Sequence, residues 1–204
     1  MHPNAAFRHQ DRALLESLID EIGFGMVFAA TPDGPRVAHV PVLRSGDTLQ
    51  FHLAHGNALT KHIDGRTGLF VLNGPDSYVS PRYYEDPAQV PTWNYLALEL
   101  EGPVRRIEAD ALRAQLESLT ARQEARIEAG KPWTMDKMPE EKLQSLLGAI
   151  TGFELEVQAW RPTFKLSQNK PLGEGQRAAD GLEAEGSTAI AELMRAFAQH
   201  KGAP

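Results

Sequence analysis

The segment HLAHGNALTK, from His52 to Lys61, carries residue types that bind anions. It passes from an alternating strand pattern into a stretch with room for a short helix, and free backbone amides at such a junction attract negative charge. Asn57 and Lys61 add a side-chain amide and a cation there. We therefore expect these two residues to contact an anionic group such as a phosphate. The alternative is that Lys61 is an ordinary solvated surface lysine.

Three histidines in the first third of the chain, His39, His52 and His55, have side chains that bind metals or contact the edge of a ring-shaped ligand. The alternating pattern of TLQFHLA places His52 and His55 on opposite sides of an extended strand, and no acidic residue accompanies them at familiar ligand spacing. We therefore expect no metal site. A ligand contact and a structural role within the strands both remain open.

The segment from Gly74 to Tyr95 is rich in aromatic residues and prolines and has neither helical nor strand periodicity. A solvated loop gains nothing by exposing aromatic rings, so we expect this one to bury them against a partner subunit or a flat ligand. Its prolines fix φ and lower the entropy lost when the loop is ordered. The alternative for Trp93 is packing at the start of a buried strand. The residues concerned are Tyr78, Tyr83, Tyr84, Trp93 and Tyr95, the prolines Pro75, Pro81, Pro87 and Pro91, and the polar residues Ser80, Arg82 and Asn94.

The segment KLSQNK, from Lys165 to Lys170, is polar where a strand or turn would otherwise continue. We expect Lys165, Gln168 and Asn169 to form specific hydrogen bonds. Their partners are either exposed backbone groups at the rim of a sheet or a bound ligand.

Several classes of chemistry are excluded by what the sequence lacks. It contains no GxGxxG, GxxxxGK[ST] or GxSxG motif, which argues against nucleoside triphosphate chemistry and a serine nucleophile. It has no cysteine, so it forms no disulfide, thiolate nucleophile or iron–sulfur cluster. No leader pattern opens it and no apolar run is long enough to span a bilayer. We expect a cytoplasmic protein that does not bind membranes.

The charge distribution argues against direct binding of nucleic acid. The formal net charge is −6, whereas affinity for DNA depends on cations that neutralise phosphates. The middle of the chain has a cluster of arginines, but acidic residues are interleaved with it, which is typical of a solvated helix face. These arginines are Arg105, Arg106, Arg113, Arg122 and Arg126.

The apolar periodicity predicts an antiparallel β protein with helices grouped elsewhere. Strands are expected from Gly25, Val37, Thr48, Gly68, Tyr95 and Phe153, and helices over 11–22, 110–129, 188–199 and after Pro139. The helix over 110–129 and the helix after Pro139 form an insertion between strands, at about 108–150. A short helix is expected over 57–63. The glycine-rich and charged stretch 173–186 is predicted to be a linker or mobile tail.

Several uncommon short motifs, in this order along the chain, resemble those of the PaiB-type family of FMN-binding negative transcriptional regulators. These motifs are MHPNAAFR, AHVPVL, HLAHGN, YVSPRYY, VPTWNY and KLSQNKP, and they span nearly the whole chain. The chain departs from the family at Ala58 and Thr60, where the family usually carries a proline and then an aromatic residue.

The resemblance implies an α+β, mainly β fold, an antiparallel split β-barrel of the FMN-binding type with an inserted helical pair and terminal helices. It implies a homodimer with FMN as cofactor, and a barrel domain over 1–172 followed by a linker and helix over 173–204. The candidate FMN contacts are the polar and aromatic residues of the segments above: His39, His52, His55, Asn57, Lys61, Tyr78, Ser80, Arg82, Trp93, Asn94, Lys165, Gln168 and Asn169. A redox or regulatory protein acting indirectly on transcription, a small FMN-dependent oxidoreductase and a haem-binding protein remain open as functions.

Overall fold

The computed structural model describes residues 2–86 and 88–200, without the side chains of residues 199 and 200. Pro87, one of the prolines of the aromatic segment, lies outside the described residues. The strands are β1 Phe24–Thr31, β2 Gly34–Pro41, β3 Leu43–Ser45, β4 Thr48–Ala54, β5 Thr67–Val79, β6 Thr92–Arg106, β7 Ile150–Glu156 and β8 Ala159–Lys165. The α-helices are α1 Arg12–Ile22, α2 Ala109–Glu124, α3 Glu140–Leu147, α4 Leu172–Ala184 and α5 Thr188–His200. Short 3₁₀ helices cover Ala5–Phe7, Pro81–Tyr83 and Met135–Lys137.

The strands form a mainly antiparallel sheet in the order β2-β1-β5-β6-β7-β4-β3, with β8 also paired to β6. This confirms the predicted fold class. Strand β1 forms a hairpin with β2, and β3 forms one with β4. The strand expected from Val37 is divided in the structure, because β2 and β3 lie at opposite ends of the strand order. The inserted pair α2 and α3 lies between β6 and β7, as predicted. No helix among residues 2–86 and 88–200 combines the length and apolarity needed to span a bilayer.

The chain divides into two compact units. Strands β5 and β6 each have residues in both units. The first unit comprises Met1–Arg12, Asn73–Leu98 and Arg161–Pro204, and the second comprises Ala13–Leu72 and Glu99–Trp160. The second unit therefore contains most of the sheet together with α2 and α3, and the first contains β8, α4 and α5. The predicted division into 1–172 and 173–204 stays a prediction.

The core of the second unit is built around three phenylalanines. Phe51 of β4 pairs in register with Phe153 of β7, and their rings stack with centroids 5.8 Å apart. Phe70 of β5 lies 6.3 Å from Phe51, and all three side chains are fully buried. On the other face, a Cβ at Gly152 would lie 2.7 Å from Ile107 and 3.0 Å from Leu112 of α2. The missing side chain at Gly152 is what lets α2 approach the sheet.

The core of the first unit is formed by small and aromatic residues. Ala178 and Ala179 of α4 are almost completely buried, as are Ala191 and Met194 of α5. The small side chains allow the two helices to pack closely. Phe164 of β8 packs edge-on against Phe197 of α5, with ring centroids 5.3 Å apart.

The structure differs from the expected elements in four segments. The predicted helix over 57–63 is a series of turns, because the side chains of Asn57 and Thr60 take up nearby backbone groups. The predicted linker over 173–186 instead forms most of α4, whose apolar face is made by small residues that composition alone does not reveal. The ends of the aromatic segment belong to β5 and β6, because pairing in the sheet overrides the local proline signal. Strand β8 was not predicted.

Candidate functional site

A surface depression of about 490 Å³ in the second unit is lined by His55, Thr60, Lys61, Asp64, Arg106, Thr151 and Phe153. Three segments far apart in the sequence contribute to it: the turns after β4, the end of β6, and β7. The pairing of β6 with β7 places Arg106 opposite Phe153. This register brings Arg106, the last residue of β6, next to the wall that β7 forms. The depression is therefore a product of the sheet and not of one local motif.

The turns after β4 are held by their own side chains. The Oδ1 atom of Asn57 accepts a hydrogen bond from the backbone N–H of Leu59 at 2.9 Å. The hydroxyl of Thr60 donates to the carbonyl oxygen of Ala54 at 2.8 Å. Leu59 and Ile63 are fully buried and anchor the segment in the core. Lys61 lies between these two anchors and is exposed.

The depression has an excess of positive charge. Within the described residues, neither Lys61 nor the guanidinium of Arg106 forms an ion pair with a carboxylate. Asp64 also lines the wall, and its Oδ1 atom accepts a hydrogen bond from the backbone N–H of Arg106 at 2.9 Å. Two cations thus face one carboxylate, with hydroxyl groups from Thr60 and Thr151 beside them. This arrangement suits an anion with several oxygen acceptors.

Arg106 was not among the residues predicted for the site. The mixed charges around it predicted a solvated helix face, whereas Arg106 ends β6 and the helix α2 begins only at Ala109. The alternation of buried residues with more exposed ones in β6 continues beyond Glu101. This alternation is the sequence signal that could have placed Arg106 at the end of a strand. Asn57, in contrast, does not line the depression but orders the turn that presents Lys61.

The three predicted histidines do not come together. His55 lines the depression, His39 is exposed on β2, and His52 is half-buried within β4. The Nδ1 atom of His52 is buried and has no hydrogen-bond partner among the described residues. Burial lowers the pKa of His52 below its ordinary value, so this imidazole is neutral at pH 7. Among the described residues no three histidine, aspartate or glutamate side chains are grouped as a metal site would require.

Three predicted residues of the aromatic segment, Tyr78, Ser80 and Arg82, line a second depression of about 750 Å³, in the first unit. The Tyr78 ring packs edge-on against Trp93 with centroids 6.2 Å apart. Both rings are well exposed, Tyr78 at 47% and Trp93 at 54%. An exposed aromatic pair of this size is unusual on a monomer surface and is typical of a binding surface.

The remaining predicted residues of the first unit contact other parts of the protein. The buried Asn94 amide donates to the Ser167 hydroxyl at 2.9 Å. Lys165 contacts the Thr92 hydroxyl, and burial lowers the pKa of its ammonium group. Gln168 bonds to the backbone of Leu166 and Ala6, whereas Asn169 is exposed. The predicted contacts therefore divide into one group in each unit, and their role in cofactor binding stays a prediction.

Comparison with known proteins identifies the family. The family model described as "Putative FMN-binding domain" matches residues 1–159. The chain belongs to this FMN-binding family. Within it the chain is of the PaiB type, since it is 28% identical over 186 residues to "Protease synthase and sporulation protein PAI 2" of Bacillus subtilis. That alignment covers 87% of this chain and 88% of the relative.

Solved structures show the same fold at low sequence identity. An FAD and haem binding protein from Mycobacterium smegmatis matches with a TM-score of 0.58 and 20% identity, over 77% of this chain and 72% of its own. A conserved hypothetical protein from Mycobacterium tuberculosis matches with a TM-score of 0.58 and 14% identity, over 84% and 94%. The PaiB-type chain thus shares its split-barrel fold with flavin-binding proteins.

The residues around the first depression fit the phosphate of FMN. A phosphate monoester carries close to two negative charges and needs donors on several sides. Lys61 and Arg106 supply the charge, and Thr151 supplies a hydroxyl group, whereas the Thr60 hydroxyl donates to the carbonyl oxygen of Ala54. The Asp64 carboxylate faces the same space, but it accepts a hydrogen bond from the backbone N–H of Arg106, which fixes its position.

Proposed function

We propose that this PaiB-type protein binds FMN with its phosphate between Lys61 and Arg106 and uses the flavin as a redox-active or regulatory group. The observation that carries the proposal is a pair of cations in one depression that form no ion pair with any described carboxylate, in a chain that belongs to an FMN-binding family. When bound, FMN would supply electron transfer, and the protein would supply binding, orientation and shielding from water.

The phosphate contacts have a clear energetic basis. Each charge-assisted hydrogen bond contributes about 1.5–3 kcal/mol, so two cations account for a large part of a micromolar affinity. Lys61 is exposed, and salt screens exposed charges over a Debye length of about 10 Å at 0.1 M ionic strength. The proposed affinity therefore decreases as ionic strength rises.

The exposed rings of Tyr78 and Trp93 support a second part of the proposal, which is a homodimer. A second copy of the chain, or the flavin ring, would cover this aromatic pair and bury its apolar surface. A cytoplasmic location, with which the cysteine-free composition is compatible, is also part of the proposal.

The proposed output is indirect control of transcription through the flavin or a protein partner. The related protein of Bacillus subtilis is named for protease synthesis and sporulation, which supports a regulatory role. The first depression has no pair of carboxylates that could act as acid and base on one substrate, because Asp64 alone among its lining residues is acidic. A small FMN-dependent oxidoreductase is the second candidate, and the shared flavoprotein fold is compatible with it.

Binding of FMN and of riboflavin should be compared on purified protein, because the two ligands differ only in the phosphate. We expect a flavin absorption spectrum and FMN binding at least about tenfold tighter than riboflavin, from one charge-assisted contact or more. Equal affinity for both ligands would place the phosphate in solvent and contradict the site. A Soret band in protein purified without added cofactor would instead favour haem.

A further inference from the structure

The first unit contains a cavity of about 250 Å³ between α4, α5 and the segment from Leu166 to Leu172. All of its lining residues follow residue 159, where the match to the FMN-binding family model ends. None of these residues lines the depression proposed for the FMN phosphate, although Gln168, a predicted FMN contact, is among them.

The wall of the cavity is mainly apolar. Leu166, Ala179 and Met194 are each at most 3% exposed and form its inner part, and Phe197 and Ala198 continue the apolar surface along α5. An apolar cavity of about 150 Å³ already admits a molecule the size of benzene. A cavity of about 250 Å³ therefore has room for a short hydrocarbon chain or a substituted ring.

Lys170 supplies a cation to one end of the cavity wall, with the Asp86 carboxylate in its electrostatic neighbourhood. Lys170 lines the wall, and within the described residues it forms no ion pair; its ammonium group contacts the side-chain oxygen of Gln89 and lies 5.3 Å from the ring centroid of Tyr84. Asp86 forms no ion pair with Lys170 within 4 Å among the described residues, and its two oxygens accept hydrogen bonds from the backbone of Ala88 and the amide of Gln89. Arg195 also lines the wall, but Asp180 and Glu183 hold it at 2.8 and 2.7 Å.

The same end has a strained residue with a free donor. Ser167 lines the cavity and has a φ of 61°. Within the described residues, it is the only residue other than glycine with a positive φ. Its oxygen accepts a hydrogen bond from the Asn94 amide, so the Ser167 hydroxyl hydrogen is available to another acceptor. Strained residues held in place by their surroundings are common where ligands bind.

The Asn94 amide holds the Ser167 hydroxyl and the Met194 sulfur in position beside the cavity. Its side chain is fully buried, and its Nδ2 atom donates to Ser167 and to the sulfur of Met194, both of which line the cavity. Its Oδ1 atom is buried and has no partner among the described residues. This atom accepts hydrogen bonds, so an ordered water can satisfy it, whereas a carboxylate, which has no donor, cannot.

From these observations we propose that the cavity binds a small carboxylic acid with an apolar tail. The tail lies against Leu166, Ala179 and Met194, and the carboxylate lies beside Lys170 and accepts a hydrogen bond from Ser167. The site shares no lining residue with the proposed phosphate site, and it would give the protein a second ligand that reports on a metabolite rather than on redox state.

The test uses octanoate and 1-octanol, which share a tail length and differ in the carboxylate. The full-length protein, with and without FMN, is labelled with ¹³C at its methionine methyl groups, and the Met194 signal is assigned from Met194→Leu. We expect octanoate to shift the Met194 signal and leave Met26 and Met135 unchanged, with or without FMN. Octanol is expected to bind at least about tenfold more weakly.

Two matched pairs of variants complete the test. Lys170→Gln should weaken octanoate binding at least about tenfold, whereas Lys131→Gln, at an exposed lysine of the second unit, should not change it. Ala198→Leu should fill the cavity mouth and abolish the shift, whereas Ala196→Leu, at an exposed position of the same helix, should leave it. The proposal is overturned if millimolar octanoate fails to shift Met194, if octanol binds equally well, or if both variants of a pair behave alike.

Discussion

Lys61 and Arg106 line one depression, although Lys61 belongs to the turns after β4 and Arg106 ends β6. Pairing of β7 with both β4 and β6 brings these two segments together. The two side chains carry the positive charge of the proposed phosphate site. Their contributions can be separated from that of a neighbouring arginine.

Lys61→Ala and Arg106→Ala should each weaken FMN binding about tenfold or more, because each removes a charge-assisted contact. Arg105→Ala is the matched control, since Arg105 is 68% exposed and lies 4.0 Å from Glu156. Fluorescence titration with FMN and with riboflavin measures the effect. If riboflavin affinity falls as much as FMN affinity, the residues do not bind the phosphate.

Trp93→Glu should dissociate the proposed homodimer by placing a charge on the exposed aromatic pair. Sedimentation at micromolar concentration measures the association state. The control is Ile127→Glu, which changes an equally exposed apolar residue of the second unit and should leave the dimer intact. A wild-type protein that stays monomeric with FMN bound would contradict the dimer itself.

Direct binding of DNA should be weak at physiological salt. The net charge is −6, and Arg113 and Arg122 are paired with Glu117, Glu140 and Asp20. Few cations therefore remain to release counterions from DNA. Anisotropy titration against promoter fragments tests this, and sequence-specific binding below micromolar concentration would overturn the indirect mechanism.

Asp20→Asn should destabilise the second unit at pH 7. Burial of the Asp20 carboxyl opposes its ionisation, but hydrogen bonds from Arg44 and Arg122, at 2.7 and 2.8 Å, outweigh burial and lower its pKa below 3.8. A lowered pKa contributes stability above pH 3.8, and this contribution is lost as the pH falls through the folded-state pKa.

Urea unfolding should show a loss of about 1–2 kcal/mol for Asp20→Asn at pH 7. The loss should shrink below pH 3.8. Asp33→Asn, in the turn between β1 and β2, serves as the control and should show little loss. A difference between wild type and Asp20→Asn that does not vary with pH would contradict the assignment.

Gly181→Ala should destabilise the packing of α4, although alanine favours helices. An added Cβ would lie 2.3 Å from the Tyr83 ring, and such overpacking costs about 1–3 kcal/mol. Gly173→Ala adds the same methyl group to the same helix with nothing within 4 Å, and it should stabilise by up to about 1 kcal/mol. Urea unfolding of both variants gives the comparison, and a stabilised Gly181→Ala protein would show that the ring moves aside freely.

The sequence by itself predicted the antiparallel fold, the helical insertion and Lys61 as a candidate phosphate contact. These features depend on local patterns: the alternation in TLQFHLA buries Leu49, Phe51 and Leu53, and the same strand leads directly to the turns that carry Lys61. The family resemblance depended on short sequence motifs, which can be recognised without any structure.

Only the tertiary structure showed that Arg106 joins Lys61, since strand pairing between distant segments decides which side chains become neighbours. The helix α4 was hidden for a related reason. Its glycines and charges resemble a linker in composition, but Gly181 fits closely against Tyr83 and the alanines pack against α5. Local propensity disfavours such a helix, and packing across the unit outweighs that preference because most helical stability comes from burial of an apolar face.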